Sequence, residues 1–229
     1  MSHSNATTPV SLKFDAEGLL PAVAQDYLTG QVRMVGFMNR EAVEQTLSSG
    51  RVTFFSRSKQ RLWIKGETSG NFLSVRSIVA DCDTDTLLVL VDALGPTCHT
   101  GRPSCFFRQL NPDGSLEDLA SECVPFLEQL EQTIEARRAS TAQKSYTRSL
   151  LEAGAVKVSE KLTEEAGELG EALAHESTER VASEAADLLY HLMVGLRLRD
   201  VSLRAVIEAL DRRTHMSGHA EKASRTPKG

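Results

Sequence analysis

Residues Asp81–Cys105 read DCDTDTLLVLVDALGPTCHTGRPSC. An aliphatic run, Leu87 to Val91, separates two groups of metal-binding side chains. Three aspartates and Cys82 stand before it; Cys98, His99 and Cys105 stand after it. A short apolar run bounded by turn residues reads as a buried strand, so a sheet fixes where the donors at its two ends can go. Thiolates are soft ligands that suit zinc, and carboxylates are hard ligands that suit magnesium. Three thiolates on a tetrahedral zinc leave one position for water, the arrangement of catalytic sites. The C-x15-C-x6-C spacing is not that of a zinc finger. Free cysteines also serve as small buried hydrophobes, so an inert cluster is the alternative, and disulfides are a weaker one. Residues Met1–Pro9 are polar and lack the apolar core of a secretory signal, so a cytoplasmic location is expected.

Before the aliphatic run, Asp81, Asp83 and Asp85 share one face if their segment is extended, with Cys82 on the other. Like charges on one face repel unless a cation bridges them; a solvated turn is the alternative, because Asp favours turns. Further back, Leu19–Gln25 and Val32–Phe37 read as strands around a Thr29-Gly30 turn. Asn39 reads as the cap of a helix over Arg40–Leu47, and Val52–Ser56 and Val75–Ala80 as strands. Between these last two lie Arg57, Ser58, Lys59 and Arg61, then Trp63 and Lys65. They can grip a phosphate or form a solvated hairpin tip. In Lys65–Asn71 (KGETSGN), glycines flanking hydroxyl residues can turn backbone N–H groups onto an anion, or make an ordinary turn.

The chain of 229 residues, 41% hydrophobic and 25% charged, has the composition of a soluble protein of one large or two small domains. Its longest aliphatic run is too short to cross a bilayer, which argues against a membrane partner. Residues 1–115 carry 11 basic and 11 acidic side chains, residues 116–229 carry 15 and 20, and the net charge of -5 therefore sits in the second half. An acidic balance argues against nucleic acid as partner and suits carboxylates gathered around cations. Nine of the twelve aromatics precede residue 115, and no proline occurs between Phe126 and Thr226. Strands in the first half and helices in the second follow. We expect an α+β chain with a first domain over 1–114, a linker over 115–123, a helical domain over 124–215 and a disordered tail over 216–229.

In that second half, helices are expected over Val124–Arg138, from Ser145 to Gly154, over Lys157–Leu173 and over Glu179–Arg199. At about 100° per residue, Leu162, Ala166, Leu169 and Leu173 share one stripe. Glu165 and Glu168 run along its edge, with Lys161 near and Glu164 further round. Val181, Ala185, Leu188 and Leu192 form the matching stripe, edged by Glu184, Asp187 and His191. Solvated faces with i,i+4 ion pairs are the plain reading. Acids bordering a core are costly when unpaired, and two such edges brought together repel unless cations lie between them.

Gln25-Asp26, Met38–Ala42 (MNREA), Ser56-Arg57-Ser58, Lys65–Asn71, Asp81–Asp85 and Cys98–Cys105, in this order, resemble the phosphoribosyl-AMP cyclohydrolase family over about residues 18–108. The resemblance implies a β-rich domain in an interwound homodimer that hydrolyses the N1–C6 bond of the adenine ring of phosphoribosyl-AMP in histidine biosynthesis. It implies zinc on Cys82 of one subunit and Cys98 and Cys105 of the other, and magnesium at Asp81, Asp83 and Asp85. It also implies substrate contacts from Arg57, Trp63, Lys65, Glu67, Thr68, Ser69 and Gly70. Zinc lowers the pKa of bound water from about 15.7 towards 7, so hydroxide can add to C6, as in zinc deaminases. His99 is expected to shuttle protons, with a packing role as its alternative. Ile64 departs from the family, many of whose members carry His there.

Glu165-x-x-Glu168 and Glu184-x-x-Asp187, with Ser145-Tyr146-Thr147 and Asp187–Leu192 (DLLYHL), resemble the phosphoribosyl-ATP pyrophosphohydrolase family over about residues 124–214. That resemblance implies an all-α, MazG-like fold whose four-helix core is completed in an oligomer. It implies magnesium at Glu164, Glu165, Glu168, Glu184 and Asp187, catalytic roles for Glu165 and Glu168, and a substrate contact from Tyr146; Lys144, Lys157 and Lys161 are candidate phosphate contacts, with solvated lysines as the alternative. Gly167 and Gly170 depart from a good helix former, each costing about 1 kcal/mol relative to Ala. The product of this second reaction is the substrate of the first. The two resemblances together imply a fused bifunctional enzyme using Zn²⁺ and Mg²⁺. Two other readings stand beside it: a general nucleoside triphosphate pyrophosphohydrolase joined to an inactive zinc module, and a non-enzymatic zinc scaffold with a helical oligomerisation domain.

Overall fold

The computed structural model describes residues 11–119, 124–139 and 145–214. The chain divides into two compact units, Met1–Pro125 and Phe126–Gly229. The first contains β1 (Leu20–Asp26), β2 (Val32–Met38), α1 (Arg40–Ser49), β3 (Thr53–Ser56), β4 (Arg61–Ile64), β5 (Leu73–Ala80), β6 (Leu87–Ala93), β7 (Arg108–Leu110) and β8 (Leu116–Asp118). The second contains α2 (Phe126–Ala139), α3 (Tyr146–His175), α4 (Thr178–Leu198) and α5 (Leu203–Thr214).

In the first unit, β1 and β6 alternate buried and partly exposed residues along their whole length, which places Leu20, Ala22, Ala24, Leu87, Val89 and Val91 in one core. The two strands pair in parallel at the centre of a sheet ordered β2-β1-β6-β5, with both outer pairings antiparallel. The Asn39 side chain accepts the Ala42 N–H to start α1, and Gly50, at φ 66, ends it in the left-handed conformation that glycine adopts without strain. β3 and β4 form a hairpin, so Arg57–Gln60 is its turn. Phe54 of β3, 1% exposed, meets the Trp63 ring of β4 at 5.3 Å.

Of the two readings of Asp81–Asp85, the turn is the one that holds. Asp81–Asp85 is not extended: the antiparallel pairing of Ala80 with Leu87 requires a reversal. Asp81 Oδ1 accepts the N–H groups of Asp85 and Thr86, each at 3.1 Å, and Thr84 takes φ 65. The aspartate serves as the turn's cap, which is its local preference. The stretch read as the start of a linker is also ordered. β7 and β8 pair around Asn111–Ser115, where Asp113 Oδ1 accepts from the Ser115 N–H and hydroxyl. Arg102 and Arg108 both reach Asp118. Cys123, the remainder of that linker, Lys144 and the tail over 216–229 lie outside the described residues.

In the second unit, Ser145 and Ser177 cap α3 and α4 by accepting the Arg148 and Arg180 N–H groups. The helix expected to end at Gly154 breaks there, at φ 81 and ψ -171, and a second helical segment continues to His175. Ile134, Leu150, Val158, Met193, Val194 and Leu203 form the core. The expected apolar stripes are displaced. Ala166, Leu173, Ala185 and Leu192 are exposed, whereas Val158, Glu165 and Ala172 of α3 and Glu184 and His191 of α4 are buried. The two helices form a hairpin that turns its acid-bearing lines inwards, where cationic partners offset the cost. Among the described residues no helix is long and apolar enough to cross a membrane.

Candidate active sites

In the first unit, the segment after β6 folds back on itself. The Thr97 N–H donates to the Pro103 carbonyl and the Cys98 N–H to that of Arg102 at 2.9 Å, with Gly101 at φ 83 in the turn between. This closed loop brings the sulfurs of Cys98 and Cys105 together, with the Cys105 thiol donating to Cys98. Both line a cavity of about 540 Å³, together with Trp63, Lys65, Glu67, Thr68, Ser69 and His99. Gly66, at φ 98, closes its wall so tightly that a Cβ there would lie 2.6 Å from the Asn71 backbone.

The thiols differ. Burial works to raise Cys98, but hydrogen bonds from Thr100, Cys105 and the His99 backbone outweigh it and hold the thiol low; the Thr100 hydroxyl lies 3.1 Å from Sγ. Cys105 remains exposed as a residue, yet the protein crowded around its sulfur and the neighbouring Cys98 push it up to about 11. Desolvation lowers Lys65, and the two sulfurs partly oppose that. A low thiol sharing a proton with a high one, beside an ammonium group, suits a soft cation that displaces the proton. His99 Nδ1 lies 3.9 Å from Cys98 Sγ.

Cys82 does not join this pair. It is exposed, with Sγ 3.9 Å from Asp83 Oδ1, and among the described residues no convergent group of three donors includes a cysteine. Asp81, Asp83 and Asp85 do converge, with ligand atoms within 4.8 Å of one another, all exposed. Burial pushes the Asp81 carboxyl up, but the Thr86 N–H and hydrogen bonds with Asp85 and Asp83 outweigh it and leave it low. Arg57 stands apart from the cavity lining, with its guanidinium 3.9 Å over the Phe37 ring. Gly70 shapes the adjoining turn at φ 76 without lining the cavity.

In the second unit, α3 and α4 bring Glu165, Glu184 and Asp187 within 4.8 Å of one another, the first two buried. Glu168 faces Glu184. Burial, the Glu165 charge and a hydrogen bond with Glu184 raise its carboxyl. Glu164 points away to Lys161, at 2.8 Å and half exposed, so it stands outside the converging trio. Lys161 also holds Glu165 at 3.0 Å. Its two carboxylate partners, Glu164 and Glu165, push its pKa upward as hydrogen-bond acceptors.

Sequence reasoning left several partners unassigned. Arg180 pairs with Glu184 at 2.5 Å and with Glu176 at 2.9 Å; its i,i+4 spacing to Glu184 was the available signal. His191 Nδ1 faces the Asp187 carbonyl at 2.9 Å. A carbonyl only accepts, so Nδ1 carries the hydrogen and Nε2 accepts from the Tyr146 hydroxyl at 3.0 Å. The same imidazole lies 3.6 Å from Glu165. Thr147 joins the Tyr190 hydroxyl to Arg137. Thr100 and Asn71 carried no chemical signal of their own.

Residues 34–107 match the family model of phosphoribosyl-AMP cyclohydrolase, and residues 127–214 that of phosphoribosyl-ATP pyrophosphohydrolase. The chain is 46% identical to the histidine biosynthesis bifunctional protein HisIE of Escherichia coli O6:H1, over 86% of this chain and 92% of that one. It is 47% identical to the protein of that name from Photobacterium profundum, over 86% and 93%. The corresponding protein of Caldanaerobacter subterraneus subsp. tengcongensis is 43% identical, over 88% and 96%. Both catalytic regions and nearly the full length of these relatives are therefore accounted for, and the chain belongs to the family of bifunctional histidine-biosynthesis proteins that join a phosphoribosyl-AMP cyclohydrolase to a phosphoribosyl-ATP pyrophosphohydrolase.

Proposed function

We propose that the acidic cleft of the helical unit hydrolyses phosphoribosyl-ATP to phosphoribosyl-AMP and pyrophosphate, and that the cavity of the sheet unit then opens the adenine ring between N1 and C6. The chain is a bifunctional hydrolase acting at two successive steps of histidine biosynthesis. The observation that carries the assignment of sites is the contrast between two donor sets. Paired thiols with an imidazole and an ammonium group line the first cavity, and oxygen donors alone converge in the second unit.

In the helical unit, Glu165, Glu184 and Asp187 would hold Mg²⁺, with Glu168 beside them. The ion supplies charge neutralisation for a triphosphate and its leaving pyrophosphate. Glu165 or Glu168 would accept the proton of the attacking water, while Tyr146, 3.0 Å from His191, and Lys161, 3.0 Å from Glu165, would be phosphate contacts. The His191 ring, fixed at both nitrogens, holds the Tyr146 hydroxyl and the Asp187 backbone in register.

In the sheet unit, Cys98 and Cys105 would hold zinc with Cys82 of the partner subunit in a homodimer; that Cys82 does not converge with both thiols among the described residues supports this reading. Zinc supplies Lewis acidity that lets a water ionise near neutral pH. Trp63 offers a face to the purine, while Lys65, Thr68 and Ser69 offer donors to the ribotide. One proton must pass from the attacking water to N1 as the N1–C6 bond breaks, and His99, which lines the cavity, would hold it. Asp81, Asp83 and Asp85 are the candidate Mg²⁺ ligands of this unit.

The test is metal analysis of the purified chain combined with a product assay on phosphoribosyl-ATP. A chelator should stop both steps, and zinc with magnesium should restore them. Asp187→Asn should abolish pyrophosphate release while leaving ring opening of supplied phosphoribosyl-AMP intact. Loss of both steps, or of neither, in a folded variant would refute the division of labour.

A further inference from the structure

The loop that presents Cys98 and Cys105 is fastened to β2 by a buried ion pair. Asp26, at the end of β1, is 1% exposed, and Arg33, on β2, is 6% exposed. Asp26 Oδ1 accepts the Leu28 and Thr29 N–H groups and so closes the β1–β2 turn. Its Oδ2 takes Arg33 Nη2 at 2.7 Å. The other amino group, Arg33 Nη1, donates to the Pro103 carbonyl at 3.2 Å, the carbonyl that also accepts the Thr97 N–H. The Arg33 backbone carbonyl accepts the Cys105 N–H at 2.9 Å. The intervening Ser104 hydroxyl donates to the Val32 carbonyl at 2.8 Å. One residue of β2 thus holds the loop from its side chain and from its backbone.

A buried ion pair is a poor way to gain stability, because desolvation offsets most of the attraction. What a guanidinium adds is geometry: a rigid planar fork that reaches two acceptors at once. We infer that Arg33, oriented by Asp26, is a positioning residue for the cyclohydrolase site, fixing the Cys98–Cys105 loop so that its two sulfurs converge. The inference rests on the proposed zinc site and deepens it. Partners that orient metal ligands typically change metal affinity by about 10–100-fold when removed.

The experiment uses the full chain loaded with zinc, as wild type, Arg33→Met and Arg33→Lys. Zinc release to a chromogenic chelator is timed. Trp63, the only tryptophan, reports whether the sheet unit is folded, and pyrophosphate release reports on the helical unit. Arg33→Met should lose zinc on the order of tenfold faster, with both reporters unchanged. Arg33→Lys keeps the charge beside Asp26 but lacks the second arm to Pro103, and should fall between. Wild-type release from folded Arg33→Met overturns the inference. If Arg33→Met does not fold, Arg33→Lys decides, and wild-type release from it also overturns the inference. If the wild type holds no zinc, the zinc reading itself fails. The fastening is then read on the metal-free chain, where buried Cys98 should react with a thiol reagent faster in the variant; equal rates overturn it.

Discussion

Glu168 gathers the electrostatic problem of the helical unit into one side chain. It faces Glu184 and lies near Glu165 and Glu164, and burial with these charges raises its carboxyl above the ordinary range. A carboxyl raised on folding binds its proton more readily in the folded state, so the protonated form favours folding, and that contribution fades as pH rises through the raised value. At neutral pH without divalent metal, Glu168 is therefore a source of repulsion. Glu168→Gln should raise the thermal midpoint of the metal-free helical unit and abolish most of the rise that Mg²⁺ gives the wild type, both read by calorimetry. A lower midpoint for the metal-free variant would contradict the repulsion. In the sheet unit, His99 lines the cavity beside Cys98. His99→Ala should keep the zinc content of the wild type and lower ring-opening turnover by about 10²–10⁴-fold, the usual worth of a positioned proton carrier. Retained turnover would remove His99 from the reaction.

At the scale of elements, α3 and α4 work as a pair of counter-charged arms. Lys161 and Arg180, one on each helix, sit on the two buried carboxylates. A cation arriving at Glu184 must compete with Arg180, whose side chain is 56% exposed, so solvent screens the pair and leaves it weak. Arg180→Gln should therefore tighten Mg²⁺ binding by about two- to fivefold in a calorimetric titration of the full chain. Weaker binding would mean that Arg180 orients Glu184 instead. The same pair marks how far the sequence could be read. Helix positions and the capping Asn39 were legible because periodicity and caps are local. The inward face was not, because periodicity counts apolar residues, and here Lys161, Arg180 and Tyr146 let Glu165, Glu184 and His191 take positions that Ala166, Leu173 and Ala185 were expected to fill. The acidic segment was left open between an extended strand and a turn, because the strand pairing between Ala80 and Leu87 that decides it is a non-local fact. The cavity-lining Trp63, Lys65 and Thr68 were legible as chemistry but not as neighbours of His99, more than thirty residues on.

For the molecule as a whole, Cys82 raises the question of how many chains make one site. Its sulfur does not converge with the Cys98–Cys105 pair, so the proposed three-thiolate zinc site calls for a second subunit. Under that proposal each site of a two-fold dimer would take Cys82 from one chain and the thiol pair from the other. Cys82→Ser alone and Cys105→Ser alone would each spoil both sites. Mixing the two variants and letting subunits exchange makes about half of the dimers mixed, and in each of these one of two sites regains three native thiols. Ring-opening activity should therefore recover from near zero to about one quarter of the wild-type level. Pyrophosphate release, carried by the helical unit, should stay at the wild-type level in every sample and so control for misfolding. Activity in either variant alone, or none after exchange confirmed by mass spectrometry of the mixed dimer, would show that a site is built within one chain and that Cys82 has another role.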